Sequence, residues 1–289
     1  MIRIYRSILV TMALAMLVAT AVPAAAYNFS TLIYPGANLT GAYGINDSGQ
    51  VVGEYFVPGD PNPKGFIWEN GQFSPFNIQG ATSTTLNGIN NAGDLVGSYS
   101  TATVKYPFLS SGGELITIII PGANWGEARS INKNGVIVGD CIVDSLYRGF
   151  KYENGTPSFI DYSGAVETRT FGINDAGTIV GEFKGLSDVW RGFVLENGQH
   201  QILEVPGAVE TRPNAINNSG VIVGSYSYDS DISHGFIYAQ GTFTTVVLPD
   251  VTSTSISKIN NYGQIVGEQD SQGFMGVPVS LSWLSLLLD

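Results

Sequence analysis

The sequence predicts an all-β fold built from six radially arranged four-stranded units, and three observations predict it. The first is a repeat. The pattern Ile-Asn-x-x-Gly-x-(apolar)-Val-Gly starts at Ile45, Ile89, Ile131, Ile173, Ile216 and Ile259, and successive copies lie 44, 42, 42, 43 and 43 residues apart. A fixed period in this range marks stacked or radial repeats, and blade-sized repeats of a propeller fall within it. The second is turn chemistry without any sustained helical apolar period after residue 26. The third is that the two ends of the repeat array are complementary.

Within one unit, strand a leads into the motif. In the second copy Thr84-Thr85-Leu86-Asn87-Gly88-Ile89 precedes the turn Asn90-Asn91-Ala92-Gly93, and strand b follows as Leu95-Val96-Gly97-Ser98-Tyr99. Asn at the first turn position accepts local backbone hydrogen bonds, and Gly at the fourth takes positive φ. A second hairpin makes strands c and d. Gly65-Phe66-Ile67-Trp68 runs into Glu69-Asn70-Gly71, with relatives at Phe150/Asn154-Gly155 and Phe193/Asn197-Gly198. Asn-Gly between β-prone runs is a strong hairpin signal. Phe66, Phe108, Phe150, Phe193, Phe236 and Phe274 are expected to fill the space between units. Gly53 and its counterparts are expected where backbones of neighbouring units converge.

The ends predict closure. Residues 27–37 read as a d strand with no a, b or c before it, while the last copy has a, b and c but no d. The N-terminal strand is therefore expected to complete the last sheet. The predicted fold is an all-β six-bladed β-propeller of four-stranded blades over residues 27–276, followed by a short apolar C-terminal tail at 277–289.

The residues that carry Gly-Ile-Asn-x-x-Gly-x-Ile-Val-Gly, the Gly-Phe opening strand c and the Pro-Gly-Ala before the next unit (Pro35-Gly36-Ala37, Pro121-Gly122-Ala123, Pro206-Gly207-Ala208) resemble the HAF extracellular-repeat family of bacterial secreted proteins. The resemblance spans nearly all of residues 27–276. It implies export and a propeller-like fold. It implies no established activity and carries over no catalytic residue.

Residues 1–26 read as a Sec-type signal peptide. Arg3 and Arg6 form a basic start, Ile8 to Val22 an apolar core too short to span a bilayer, and Ala24-Ala25-Ala26 a small-residue cleavage point. This predicts a secreted or envelope location and no stable membrane insertion after cleavage. Two of the 13 basic residues and none of the 24 acidic ones lie in this leader, so cleavage moves the net charge from −11 to about −13. An acidic surface disfavours nucleic acid and anionic lipid. The one cysteine, Cys141, leaves no intramolecular disulfide, and it reads as a small buried hydrophobe.

Loops that break the repeat are where ligands are expected, because function rides on variable segments over a rigid scaffold. They are residues 57–64, 101–106, 143–148, 184–191 and 228–234, all on the face shared by the b–c loops and the d–a connections. Three d–a connections share a charged pair: Glu127 with Arg129, Glu167 with Arg169, and Glu210 with Arg212. Side-by-side carboxylate and guanidinium suit hydroxyl-rich or carboxylate-bearing ligands. The same pairs also fit an inter-blade ion-pair ladder, worth about 0–1 kcal/mol per exposed pair. Trp125, Trp190 and Tyr228 offer apolar platforms for sugar faces, and Asp231 with His234 completes the candidate set.

Enzyme signatures are largely missing. Two histidines, His200 and His234, cannot make a multi-histidine metal centre. No nucleophile elbow or phosphate-cradling loop occurs. His200 reads as surface. Asp229-Ser230-Asp231 hints at calcium but falls short of the six or more oxygens required; no other cofactor is implied. The reading is a secreted, monomeric, non-catalytic binding propeller whose ligand is a glycan or extracellular polymer. A carbohydrate-active hydrolase or lyase, with carboxylates such as Glu127 and Asp188, and a structural matrix or envelope protein are the alternatives.

Overall fold

Each motif Asn builds its own turn. Asn132 Oδ1 accepts the backbone N–H of Asn134 and of Val136, both at 3.0 Å, and Gly135 closes the turn with φ 76° and an N–H donated to the Asn132 carbonyl. The other five turns repeat this closing bond. Strands therefore leave each motif antiparallel, at a fixed register, and the chain becomes a series of meanders.

The computed structural model describes residues 20–22, 27–229 and 232–279. Two strands come first, β1 (Thr20–Val22) and β2 (Tyr27–Leu32). Six groups follow: β3 (Leu39–Ile45), β4 (Val51–Phe56), β5 (Lys64–Glu69) and β6 (Gln72–Phe76); β7 (Ser83–Ile89), β8 (Leu95–Ser100), β9 (Lys105–Ser111) and β10 (Glu114–Thr117); β11 (Trp125–Ile131), β12 (Ile137–Val143), β13 (Leu146–Glu153) and β14 (Thr156–Ile160); β15 (Glu167–Ile173), β16 (Ile179–Lys184), β17 (Trp190–Glu196) and β18 (Gln199–Leu203); β19 (Glu210–Ile216), β20 (Ile222–Ser227), β21 (His234–Ala239) and β22 (Thr242–Val246); β23 (Thr254–Ile259), β24 (Ile265–Gln269) and β25 (Gln272–Pro278). No helix occurs among the described residues. Within each group the strands pair antiparallel in chain order. β1 adds a parallel fifth strand against Thr244–Val246.

The ends close as the sequence predicts. β2 pairs antiparallel with β25, Tyr27 opposite Pro278 and Leu32 opposite Gly273, so the earliest described long strand is the fourth strand of the last sheet. Phe29 packs edge-on against Phe274 at 5.8 Å. β25 continues through Val277 and Pro278, two residues beyond the expected end of the repeat array. The leader apart from residues 20–22, the segment after Val279, and Asp231 lie outside the described residues.

The six phenylalanines of the third strands are all fully buried. Each contributes roughly 2–3 kcal/mol of burial. The glycines after the motif work differently from expectation. A Cβ on Gly139 would sit 2.0 Å from the Glu127 carbonyl oxygen and 2.8 Å from the Phe150 ring, both within its own sheet. Gly97, Gly181, Gly224 and Gly267 meet the same obstacle. These glycines admit a bulge in the neighbouring strand rather than a neighbouring unit. The contact between units belongs to other glycines: a Cβ on Gly44 would come within 3.0 Å of Gly88 Cα.

The motif asparagines also join the units. Asn46 Nδ2 donates to the Asn90 carbonyl, Asn90 to Asn132, Asn132 to Asn174, Asn174 to Asn217, Asn217 to Asn260, and Asn260 back to Asn46, at 3.0–3.4 Å. All six are buried. A second circuit runs through the next residue, whose backbone N–H donates to the side-chain oxygen of its counterpart one unit on: Asp47 to Asn91, Lys133 to Asp175, Asp175 to Asn218, Asn218 to Asn261 and Asn261 to Asp47. Lys133 has no side-chain oxygen to offer Asn91.

Replacing Asn132 by Ala strands two turn N–H groups and removes one inter-unit bond. A loss of about 2–3 kcal/mol in chemical denaturation is expected. Lys133→Asn supplies the missing acceptor and is expected to stabilise by about 0.5 kcal/mol net of the exposed Lys133–Asp175 pair it removes.

Candidate functional site

The first strand of every unit slips register once. The slip falls between Ala42 and Gly44, Leu86 and Gly88, Ala128 and Ser130, Thr170 and Gly172, Pro213 and Ala215, and Ile256 and Lys258. The extra residues are Tyr43, Asn87, Arg129, Phe171, Asn214 and Ser257, each three positions before its motif Asn. A bulge re-aims a side chain and is a recurrent device next to functional sites. All six line one cavity of about 280 Å³ on the ring axis. The scaffold repeats six times, yet no more than two of these six side chains are alike.

A continuous line of opposite charges forms one wall. Lys105 pairs with Glu127. Arg129 Nη2 lies 2.7 Å from Glu127 Oε2, and its Nε donates to Asp140 Oδ1 at 2.7 Å. Arg169 Nη1 lies 3.1 Å from Glu182 Oε1, and its Nε faces Asp140 Oδ2 at 3.9 Å, beyond hydrogen-bond range. Arg212 pairs with Glu182 at 3.0 Å and Glu210 at 3.2 Å. Four cations alternate with four carboxylates from the second sheet to the fifth. The Asp140 and Glu182 side chains have no exposure at all. Burial works to raise the Glu127 carboxyl, but Arg129 and Lys105 outweigh it and hold it below its ordinary value.

Aromatic rings cover the line. The Arg169 guanidinium carbon lies 3.5 Å from the Tyr147 ring centre and 4.9 Å from that of Trp190. Trp125 meets Tyr147 edge-on at 5.8 Å and lies 5.4 Å from Lys105 Nζ. Glu167 pairs with Lys184 and accepts the Tyr147 N–H at 3.0 Å.

The opposite wall is acidic. Tyr43 Oη lies 2.9 Å from Glu268 Oε1 and 3.1 Å from Glu54 Oε1, and Thr85 Oγ1 donates to Glu54 Oε2 at 2.7 Å. A Cβ on Gly41 would collide with Tyr43 Oη at 2.4 Å and Glu268 Oε1 at 2.6 Å. The other units carry Thr85, Glu127, Arg169, Arg212 and Ser255 at that position, so this glycine makes room for the cluster. A phenol has one proton and faces two carboxyl oxygens within about 6 Å of each other. Burial raises both Glu54 and Glu268 above the ordinary carboxyl range despite the Tyr43 bonds.

The structure gathers Trp125, Glu127, Arg129, Glu167, Arg169, Trp190, Glu210 and Arg212 into this ladder. Three expectations change. The charged pairs lie within strands β11, β15 and β19 instead of the d–a connections, because those strands begin earlier than the turn residues suggest. Glu127, Arg129, Glu167 and Arg169 are largely buried, so surface magnitudes do not apply to them, whereas Glu210 and Arg212 stay partly exposed. Glu167 pairs with Lys184 rather than with Arg169. Tyr228 and His234 cluster with Tyr226, at 5.4 and 5.3 Å, away from the cavity lining. His234 opens strand β21 rather than sitting in a loop. Residues 144 and 145 are a two-residue hairpin turn rather than a variable loop, with φ 51° and 67°. His200 is half-buried between Tyr162 and Phe193, and burial lowers its pKa. Cys141 is buried and its thiol is pushed up to about 12, first by burial. Asp188 is bound to Lys184 on an exposed loop. No group of three or more metal-ligating side chains occurs among the described residues.

Sequence reasoning missed Tyr43, Glu54, Lys105, Asp140, Glu182, Lys258 and Glu268. One signal was available. The residue after each motif glycine is Glu54, Ser98, Asp140, Glu182, Ser225 or Glu268, polar six times over at the centre of a buried strand.

No protein-family model matches the chain, and no curated protein matches it. Solved structures do resemble it. A protein provisionally described as a gluconolactonase has TM-score 0.54 at 15% identity, over 88% of this chain and 93% of that one. A streptogramin B lyase has TM-score 0.53 at 10% identity, over 87% and 98%. A catalytically inactive virginiamycin B lyase from Staphylococcus aureus has 0.50 at 10%, over 88% and 100%. At such identities the likeness is one of fold, and it supports the β-propeller.

A carboxyl whose folded pKa is raised stabilises the fold at low pH, and that contribution is lost as pH rises through the folded value. Glu268→Gln removes the group that must ionise and retains an acceptor for Tyr43. Its melting temperature is expected to fall less than that of the unmodified protein between pH 5 and pH 8, as measured by calorimetry.

Proposed function

We propose that this chain is a six-bladed β-propeller of the HAF extracellular-repeat kind, exported to the cell envelope or beyond. There it acts as a non-catalytic binding module whose axial cavity takes a hydroxyl-rich, carboxylate-bearing ligand, an acidic sugar unit of an extracellular glycan or polymer. One observation carries the reading. Against a scaffold repeated six times, the side chains re-aimed onto the axis diverge into a phenol, two amides, a guanidinium, a phenyl and a hydroxyl. Structure alone would favour one well-packed residue used six times.

The chemistry of the walls supports the ligand class. Arg129, Arg169 and Arg212 line the cavity, and guanidinium suits carboxylates. Amides and hydroxyls of Asn87, Asn214, Ser255 and Ser257 suit sugar hydroxyls, and Phe171 offers one flat apolar face. A volume of about 280 Å³ lies near the low end for ligand pockets and holds roughly one sugar unit. The basic, apolar and small-residue run of the first 26 residues supports export.

One observation favours a second reading, a carbohydrate-active hydrolase or lyase. Glu54 and Glu268 form a carboxyl pair bridged by Tyr43 beside the cavity. They replace Glu127 and Asp188 as its carboxylates, since Glu127 is held by two cations and Asp188 by Lys184.

Calorimetric titration with uronic acid oligomers and with neutral oligosaccharides separates the possibilities. Acidic sugars are expected to bind and neutral ones not. Ser257→Phe fills the cavity at a position where Phe171 already shows that the fold accepts a phenyl. It is expected to weaken binding at least tenfold, about 1.4 kcal/mol. Absence of uronate binding, or undiminished binding by the Ser257→Phe protein, rejects the proposed site. Cleavage products that disappear in Glu268→Gln would transfer the case to the second reading.

A further inference from the structure

One cation on the axis belongs to no ion pair. Lys64, Lys105, Lys133, Lys151 and Lys184 each face a carboxylate. Lys258, the sixth lysine of the chain, faces none among the described residues. Its Nζ donates to the Phe171 carbonyl, two units away, at 2.9 Å. An ammonium has three protons to place, and this bond accounts for one.

Its position in the repeat is unusual. The counterparts of Lys258 are Gly44, Gly88, Ser130, Gly172 and Ala215. They are small because the first strands converge there: a Cβ on Gly172 would come within 2.7 Å of Ala215 Cα. Lys258 is the one long side chain at that level. It lies between the axial cavity and a smaller one of about 90 Å³ bounded by the motif asparagines, and it lines both. Arg129 is the charge that acts on it, while Tyr43, Arg169, Arg212 and Glu268 line the same cavity. Filling the axis alone would be served by Met or Leu, without the several kcal/mol that an uncompensated buried ammonium costs. A lysine that is desolvated and set beside another cation is the arrangement that produces a nucleophilic amine. Burial first, and Arg129 second, push this amine down to about 7.

We propose that Lys258 is a carbonyl-capturing nucleophile, its Nζ condensing with an aldehyde or keto group of a ligand whose carboxylate is held by the cavity's guanidinium groups. The inference rests on the reading of the axial cavity as an acidic-ligand site, and the open-chain form of a uronic acid carries both groups. The neutral amine forms a C–N bond to the carbonyl carbon, and the carbonyl electron pair moves to oxygen. That oxygen takes up a proton, giving a carbinolamine. Loss of water, with departure of the remaining N–H proton, leaves the imine. Amine plus carbonyl gives imine plus water, with no oxidation or reduction.

Glyoxylate, the smallest aldehyde that bears a carboxylate, is the probe. The full chain is incubated with glyoxylate near neutral pH, reduced with cyanoborohydride and mapped by peptide mass spectrometry. Lys258 is expected to be modified at least about tenfold faster than any of the other five lysines, because each of those is engaged by a carboxylate that favours the ammonium over the free amine. Acetaldehyde, which lacks the carboxylate, is expected to lose this selectivity. Lys258→Arg keeps a cation on the axis and is expected to lose the modification while retaining the melting temperature. An unmodified Lys258, or labelling spread evenly over all six lysines, overturns the inference. The two readings fail separately: uronate binding with Lys258 unlabelled removes only the nucleophile, while selective labelling without uronate binding removes only the sugar.

Discussion

The structure depends on one side chain used six times. The motif asparagine is short enough for its Oδ1 to reach the N–H groups of its own turn and long enough for its Nδ2 to reach the next unit's carbonyl. Acceptor and donor sit on one planar amide, so turn geometry and inter-unit geometry cannot vary independently. Aspartate would keep the turn and lose the donor, and serine would not reach. Because the last asparagine bonds to the first, a change in the angle between any two units must be absorbed by the other five. That constraint, together with the N-terminal strand seated on β25, makes the array a closed ring rather than an open stack.

Closure has a consequence for the inner strands. Six strands cannot all approach one axis with side chains pointing inward unless most of those side chains are small. Hence the row of Gly44, Gly88, Ser130, Gly172 and Ala215. One bulge per strand then turns a single residue onto the axis, and the glycine across from the residue just before it leaves room for the carbonyl two positions before the bulged residue, as Gly139 does for that of Glu127. Tyr43, Arg129 and Phe171 can therefore differ widely while the backbone around them stays the same. The polar chemistry of the molecule is concentrated where the fold tolerates diversity.

The ion-pair ladder is better regarded as a device of arrangement than of stability. Desolvating Asp140 and Glu182 costs about as much as their pairing returns, and well-packed apolar residues often do as well. What the ladder does is hold three guanidinium groups at fixed positions along one wall, with rings of Tyr147 and Trp190 over Arg169. Pre-positioned donors give a binding site its specificity, because little conformational freedom remains to be lost when a ligand arrives. The unpaired amine of Lys258 stands out against the three guanidinium groups of the same cavity, each of which is held by a carboxylate.

The sequence by itself determined the repeat, the turns, the strand order and the complementary ends. Each of these follows from interactions among residues close together in the chain or from a period that any reader can count. The motif asparagines were legible as turn residues. Their second role was not, because it links residues about 43 positions apart through a bond whose direction depends on the angle between units. The charged pairs at Glu127/Arg129 and Glu210/Arg212 were legible as pairs, but the burial of the first was not. Tyr43, Glu54, Lys258 and Glu268 were invisible as a group. They come from the first and last units, more than 200 residues apart, and meet only because the ring closes. Local rules in a chain specify turns and faces; which faces converge on one axis is decided by the packing of six units at once, and the tertiary structure alone supplies it.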